Sequence, residues 1–241
     1  MISDKKRKLV WSTRFASFYN SLLVKTFGIN VSVTDRRNTS PRGGSNYLIL
    51  SNHLSYLDIF IIFSIFPATF IASVDEVKDT FLLGKVTELS GGFFVERRNR
   101  SGLRREIESI TDILRLGVNV VLFPEGTTSN GERVLPFKTP LLSMAEKGGV
   151  EILPLCIRYS RIDGEELNEN NRDLVYYYGD MKFFDHFNKL LTVKSIDAEL
   201  ILLEKIDPDE AQSRKELASS VYGIINDTFL NGAAPDKAAA R

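Results

Sequence analysis

The feature that most restricts the fold of this chain is a set of short, strongly apolar runs. The run at 118–123 is apolar at five of its six positions. Such a run is typical of a strand that is covered on both faces of a sheet. We predict further strands at 47–51, 68–73, 93–96, 152–159, 174–178 and 198–206, with the last at the edge of the sheet.

Helical segments alternate with these runs. In the segment 101–116, Leu103, Ile107, Ile110 and Leu114 recur at helical spacing, and Gly117 can end the helix. Further helices are predicted at 56–66, 138–147 and 208–229. Because strands alternate with helices, we predict an α/β fold: a single domain with a largely parallel, mixed sheet flanked by helices.

An amphipathic helix is predicted at 9–27, ahead of the first strand. Trp11, Phe15, Phe18 and Leu22 fall on one face, and a basic cluster at 5–8 precedes them. Basic residues beside aromatic and leucine side chains are typical of a helix that lies on an anionic membrane surface. The alternative is a helix that packs on the core of its own domain.

Composition argues against several classes of protein. Lys plus Arg equals Asp plus Glu at 31 each, whereas a nucleic-acid-binding domain is usually basic. The single cysteine cannot form an internal disulfide, and two histidines make a His-rich metal site improbable. The longest uncharged stretch, 59–74, has 16 residues, while a membrane-spanning helix needs about 20. We therefore expect neither a spanning helix nor a signal peptide.

Polar residues follow the first predicted strand, at 52–58. The carboxyl end of a strand in an α/β sheet is a common position for reactive groups. His53 and Asp58 can form a dyad in which the carboxylate orients the imidazole. Alternatively, Ser55 and Asp58 cap the following helix, and His53 is an ordinary loop residue.

Two further polar groups follow later strands. Arg97 and Arg98 end the strand at 93–96, where a guanidinium can bind a phosphate. After the strand at 118–123, Pro124 and Gly126 predict a sharp turn. Hydrogen-bonding residues accompany that turn: Glu125, Thr127, Thr128 and Ser129. Each group alone is also compatible with a plain solvated loop.

Taken together, these groups resemble the motifs of the lysophosphatidic acid acyltransferase family, which comprises 1-acylglycerol-3-phosphate O-acyltransferases and related glycerolipid acyltransferases. The matching positions are Asn52, His53 and Asp58; Gly91, Phe94 and Arg97; the run 123–129; and Pro154. A Pro-Phe-Lys stretch ending at Lys138 is also similar to the family. Many members carry a lysine after the second strand, where this chain is acidic at 73–77, so Arg98 or Lys138 can supply that phosphate contact.

The resemblance implies a catalytic His53 oriented by Asp58, with neither a metal nor a cofactor. It implies substrate binding by Asn52, Arg97, Arg98, Glu125, Gly126, Thr127, Thr128, Ser129 and Lys138. The implied donor is acyl-CoA or acyl-carrier protein, and the implied acceptor is a lysophospholipid, with lysophosphatidic acid first and lyso-ornithine lipid or another head group as alternatives. Two other functions stay open: a lipid thioesterase and a non-enzymatic lipid-binding protein.

The expected domain organisation follows from the same resemblance. We expect a membrane-associating segment at 1–30, a glycerolipid acyltransferase domain at 31–230 and a flexible tail at 231–241. The expected location is the cytoplasmic face of a membrane, as a peripheral protein. We interpret His186 as structural.

Overall fold

The computed structural model of the chain describes residues 2–38, 46–73, 92–95, 100–211 and 213–232. Its strands are β1 (Ile29–Asp35), β2 (Leu48–Ser51), β3 (Ala68–Ser73), β4 (Gly92–Val95), β5 (Asn119–Leu122), β6 (Ile152–Ile162), β7 (Glu165–Glu166) and β8 (Ile196–Leu202). They form one sheet in the order β1-β8-β6-β2-β5-β3-β4, and β7 pairs with β6. Five of the pairings are parallel, and β6 runs antiparallel to β7 and β8. The predicted α/β fold with a largely parallel, mixed sheet is confirmed.

Helices cover both faces of this sheet. They are α1 (Ile2–Thr26), α2 (Leu57–Ile65), α3 (Arg100–Arg115), α4 (Ser143–Gly148), α5 (Phe183–Leu190) and α6 (Arg214–Asn231). Short 3₁₀ turns lie at Thr139–Leu142, Arg172–Leu174 and Pro208–Glu210. One core cluster joins alternate residues of β2 and β6 to α2 and α5, and the other joins their remaining inward residues to α3, α4 and α6.

The first helix both packs on the domain and leaves the predicted face in solvent. Ala16, Asn20 and Val24 are buried, and α1 packs mainly against α2. On the opposite side, the aromatic and leucine stripe of α1 is open to solvent, with exposed fractions of 67% for Trp11, 67% for Phe15, 71% for Phe18 and 54% for Leu22. Within the described ranges, no helix combines the length and the hydropathy that crossing a membrane requires.

Two strand predictions were wrong. The strand predicted at 198–206 is not an edge strand, because β8 lies between β6 and the unpredicted β1. Polar residues alternate along β1 (Asn30, Ser32 and Thr34), so the sequence there resembles a loop. The segment 174–178 is not a strand: it follows a 3₁₀ turn, and its aromatic residues pack on the loop after β2 instead of pairing in a ladder.

The turn between α1 and β1 requires glycine. Gly28 has a φ of +63°, and a Cβ there would collide with the carbonyl oxygen of Lys194. We expect Gly28→Ala to lower the free energy of unfolding by about 1–3 kcal/mol, since both the left-handed backbone and the contact are unfavourable. Gly223 on α6 is the matched control, because a Cβ there meets nothing within 4 Å. Gly223→Ala should raise stability by about 0.5–1 kcal/mol. Denaturant unfolding of both variants checks this, and equal effects would contradict it.

Candidate active site

His53 and Asp58 lie together at the carboxyl end of β2, where the chain turns into α2. Nδ1 of His53 is 2.9 Å from Oδ2 of Asp58. The side chain of His53 is 15% exposed, whereas that of Asp58 is completely buried. The predicted pair therefore forms. The imidazole of His53 is partly accessible to solvent, whereas the carboxylate of Asp58 is not.

Donors surround the carboxylate of Asp58. Besides the imidazole, Oδ2 accepts the backbone N–H groups of Leu54 at 2.6 Å and Ser55 at 3.0 Å. Oδ1 accepts the hydroxyl of Tyr159 at 2.6 Å. The bond from the N–H of Ser55 is the one that the helix-capping interpretation predicts. Asp58 therefore caps the start of α2 and also contacts His53.

Two constraints fix the imidazole of His53. Its ring stacks on Phe123, with ring centroids 3.9 Å apart and an angle of 13° between planes. Because an ionised carboxylate can only accept hydrogen bonds, Nδ1 carries the proton in the bond to Asp58. Nε2 then keeps its lone pair, which is what a general base needs.

Glu125 holds the backbone around His53. Its Oε1 accepts the N–H of His53 at 2.7 Å, and its Oε2 accepts the N–H of Leu135 at 2.7 Å. The N–H of Ser129 in turn donates to the carbonyl oxygen of His53 at 2.9 Å. The residue is only 3% exposed, and its two bonds join the loop after β2 to the loop after β5. Its contact with substrate hydroxyls stays a prediction.

The structure places Asn52, a predicted substrate-binding residue, at the junction of β2 and β6. The amide of Asn52 is bonded to β6: Nδ2 donates to the carbonyl oxygen of Ile157 at 2.9 Å, and Oδ1 accepts the N–H of Ile157 at 2.8 Å. Asn52 is 1% exposed. Because its amide is buried and bonded to backbone, it ties the end of β2 to β6.

The remaining predicted binding residues have different positions. Gly126 has a φ of +71° at the turn after β5, and Thr127 is exposed while Thr128 is half-buried. Ser129 is buried, and its Oγ accepts the N–H of Gly131 at 3.4 Å. Lys138 is exposed. Arg97 and Arg98, together with the acidic stretch that begins after Ser73, lie outside the described residues.

Sequence reasoning missed the contribution of Tyr159. This residue sits on β6, where Leu153, Leu155 and Ile157 point to the same core. A tyrosine at the end of such an alternating apolar series usually needs a partner for its hydroxyl when it is buried. The spacing therefore carried a signal, although it did not reveal that the partner is Asp58.

His186 lies in an aromatic cluster behind the site. Its Nδ1 is 3.0 Å from the hydroxyl of Tyr56, and its ring contacts that of Tyr177 edge-on. Burial lowers the pKa of His186. In the part of the chain that the structure describes, no three His, Cys, Asp or Glu side chains are grouped so that they could hold a metal ion.

The sequence is similar to those of known proteins. A sequence profile of the Acyltransferase family matches residues 30–158, a range that includes His53, Asp58, Glu125 and Pro154. The chain belongs to the Acyltransferase family. It is therefore an enzyme of the acyltransferase class, and the motif resemblance to the lysophosphatidic acid acyltransferases agrees with this membership.

Individual members of the family cover most of the chain. The lyso-ornithine lipid O-acyltransferase of Brucella abortus is 32% identical over 91% of this chain and 83% of its own. The 1-acyl-sn-glycerol-3-phosphate acyltransferase of Neisseria gonorrhoeae is 28% identical over 77% of this chain and 70% of its own. The crystal structure of the 1-acyl-sn-glycerophosphate acyltransferase PlsC from Thermotoga maritima has the same fold, with a TM-score of 0.57 and 22% identity, covering 96% of this chain and 97% of that one.

Glu125 makes stability depend on pH. Burial raises its pKa from 4.5 to about 7, against the two backbone hydrogen bonds, which lower it. The folded state therefore keeps the proton to higher pH than the unfolded state, so this contribution to stability is full below pH 4.5 and declines as the pH rises through about 7.

Glu125→Gln, which cannot titrate, isolates this effect. We expect the free energy of unfolding of the wild-type protein minus that of the variant to be larger at about pH 4.5 than at about pH 8, by up to about 3 kcal/mol. Denaturant unfolding at both pH values measures this difference. The contributions of the other titrating groups to the free energy of unfolding are the same in both proteins and cancel. An equal difference, or one that grows with pH, would contradict the assignment.

Proposed function

We propose that this acyltransferase moves a fatty acyl group from a thioester donor, acyl-CoA or acyl-carrier protein, to the free hydroxyl of a lysolipid. The observation that carries the proposal is the bond between Nδ1 of His53 and the buried Asp58. It leaves Nε2 as a base whose ring is already oriented by Phe123. The names of the family members support the same class of acceptor.

In the proposed reaction, Nε2 of His53 takes the proton of the acceptor hydroxyl as its oxygen attacks the thioester carbonyl carbon. The carbon–sulfur bond then breaks, and the proton on the imidazolium goes to the departing sulfur. Asp58 stabilises the positive charge on the ring between these two steps. The imidazole returns to its starting state, so the products are an ester and a free thiol.

Direct attack by the acceptor needs no nucleophile from the enzyme. The one cysteine of the chain, Cys156, is buried within β6, and burial raises the pKa of its thiol to about 12. A thiol that keeps its proton is a poor nucleophile. A covalent acyl–cysteine intermediate is therefore not part of the proposed mechanism.

Two acceptors have separate support. The motif resemblance favours lysophosphatidic acid, for which Arg97, Arg98 and the exposed Lys138 are the proposed phosphate-binding residues. The identity of 32% over 91% of the chain favours lyso-ornithine lipid. Both are lysolipids with a free hydroxyl, so the chemistry at His53 is the same, and Thr127 and Thr128 beside the site are proposed to help position either one.

A thioester-release assay tests the proposed function. Purified protein is given palmitoyl-CoA with lysophosphatidic acid or lyso-ornithine lipid, and free thiol and diacylated lipid are measured together. We expect both products to appear with one of the acceptors, and His53→Ala to reduce both by about 10²–10⁴-fold because the general base is lost. His186→Gln removes the only other imidazole of the chain, and is expected to keep most of the activity.

Other outcomes of this assay are equally informative. Thiol released with free fatty acid, in place of diacylated lipid, would identify a thioesterase. Lysolipid binding without turnover, unchanged in His53→Ala, would identify a lipid-binding protein. If palmitoyl-CoA gives no product with either acceptor, the same assay is repeated with palmitoyl-acyl-carrier protein as the donor. Product formed only with the carrier protein would identify it as the donor.

We also propose that α1 lies on an anionic membrane surface. Its aromatic stripe is exposed and its other face is buried against the domain, so the stripe is available for lipid. The exposed residues Lys6, Arg7 and Lys8 at the start of the helix suit anionic head groups. An enzyme whose acceptor is a lipid needs such a contact to reach its substrate.

Vesicle co-sedimentation tests this surface. A variant with Trp11, Phe15 and Phe18 changed to Ser is expected to bind anionic vesicles at least about tenfold more weakly, because each aromatic side chain contributes through its buried apolar area. The matched control changes three exposed apolar residues elsewhere, Val33, Ile224 and Leu230, to Ser. Equal binding by the two folded variants would refute a membrane role for α1.

A further inference from the structure

Tyr159 lies directly beneath the proposed catalytic pair. It is 5% exposed on β6, and its ring contacts that of Tyr176 edge-on at 5.8 Å between centroids. Its hydroxyl donates to Oδ1 of Asp58 at 2.6 Å. This short contact joins a strand in the middle of the sheet to a residue at the start of α2.

The two oxygens of Asp58 are supported very unequally. Oδ2 accepts three hydrogen bonds, from His53, Leu54 and Ser55. Oδ1 accepts the hydroxyl of Tyr159. Because Asp58 is completely buried, bulk solvent does not contact Oδ1 in place of that donor. A buried charged oxygen that loses its donor is strongly unfavourable, so the carboxylate would have to turn or take up a proton.

The hydroxyl of Tyr159 is suited to permanent donation. Burial raises the pKa of Tyr159 well above 10.0, and the charge of Asp58 raises it further. The phenol therefore keeps its proton throughout the pH range in which an enzyme works. A neutral, buried donor fixes the orientation of a carboxylate without adding a charge of its own.

We infer that Tyr159 is a positioning residue for acyl transfer, holding Asp58 so that Oδ2 faces Nδ1 of His53. This inference rests on the roles proposed above for His53 and Asp58. The hydroxyl of Tyr159 donates to Asp58, and its effect on the reaction passes through that carboxylate. The loop after β2 and the first turn of α2 are thereby joined to a residue of β6 that is 101 positions from Asp58 in sequence.

Steady-state kinetics of Tyr159→Phe test the inference. Phenylalanine fills the same space and removes the donor alone. We expect kcat to fall about tenfold, because the base is less well oriented, while KM for the thioester and the lysolipid stays unchanged. Tyr176→Phe is the matched control: it removes the hydroxyl of a neighbouring, buried tyrosine that is not among the described donors to Asp58, and should leave kcat unchanged.

A double-mutant cycle separates positioning from general packing. In an Asp58→Asn background, Tyr159→Phe should change kcat by less than about twofold, because Tyr159 then has no carboxylate to orient. If the two fold-changes multiply instead, Tyr159 acts independently of Asp58 and the inference is overturned. Thermal unfolding of each variant confirms that the folded state is being compared.

Amide hydrogen exchange gives a readout that needs no substrate. The N–H groups of Leu54 and Ser55 donate to Asp58, so they should exchange faster in Tyr159→Phe, while Ile49 and Leu50 in β2 stay protected. Unchanged exchange at Leu54 and Ser55, or faster exchange throughout the sheet, would overturn the inference. A wild-type protein that transfers no acyl group would refute the proposed function. The amide-exchange comparison would still test whether Tyr159 holds Asp58 in place.

Discussion

A carboxylate that is wholly withdrawn from water must be surrounded by hydrogen-bond donors, and the arrangement around Asp58 follows from that requirement. Its four donors come from the imidazole of His53, two backbone N–H groups and the hydroxyl of Tyr159. To supply them, the chain must turn sharply after β2, begin α2 at Leu57 and place β6 alongside β2. The same packing that makes Asp58 tolerable in the core also directs Nε2 of His53 away from it. Stability and the proposed chemistry therefore depend on the same contacts.

The sheet brings the necessary pieces to one place. Strand β2 lies between β5 and β6 and is parallel to both, so the residues that follow β2 and β5 meet at one edge of the sheet. The segment after β2 supplies His53, and the segment around the end of β5 supplies Phe123 and Glu125. Strand β6 supplies the backbone that holds Asn52 and the hydroxyl that holds Asp58. Each loop is thereby fixed by a neighbour from a different part of the sequence, which keeps the imidazole rigid although its ring reaches solvent.

Much of this could be predicted from the sequence, and the failures have a common physical cause. The apolar runs predict strands because a strand covered on both faces needs apolar residues at successive positions. The His53–Asp58 spacing predicts a pair because the loop after β2 leads directly into the first turn of α2. The hydrogen-bond partners of Asn52 and Glu125 could not be predicted: Asn52 bonds to the backbone of Ile157, and Glu125 bonds to the backbone N–H groups of His53 and Leu135. Such partners are set by packing between distant segments, which spacing along the chain does not encode. The two wrong strand predictions have the same cause. Strand β1 forms because it pairs with β8, and the aromatic residues at 174–178 are buried by packing on other segments, so neither outcome can be read from the local sequence.

The proposed mechanism requires Asp58 to hold the proton of His53 on Nδ1, which leaves Nε2 free as the base. Nitrogen-15 NMR of the imidazole groups in the unliganded protein tests it most directly, recorded above about pH 9 where an ordinary histidine is neutral. The chain has only two histidines, so the spectrum of His53→Ala assigns both. We expect a protonated Nδ1 and an unprotonated Nε2 for His53. A proton on Nε2, with Nδ1 unprotonated beside Asp58, would contradict it.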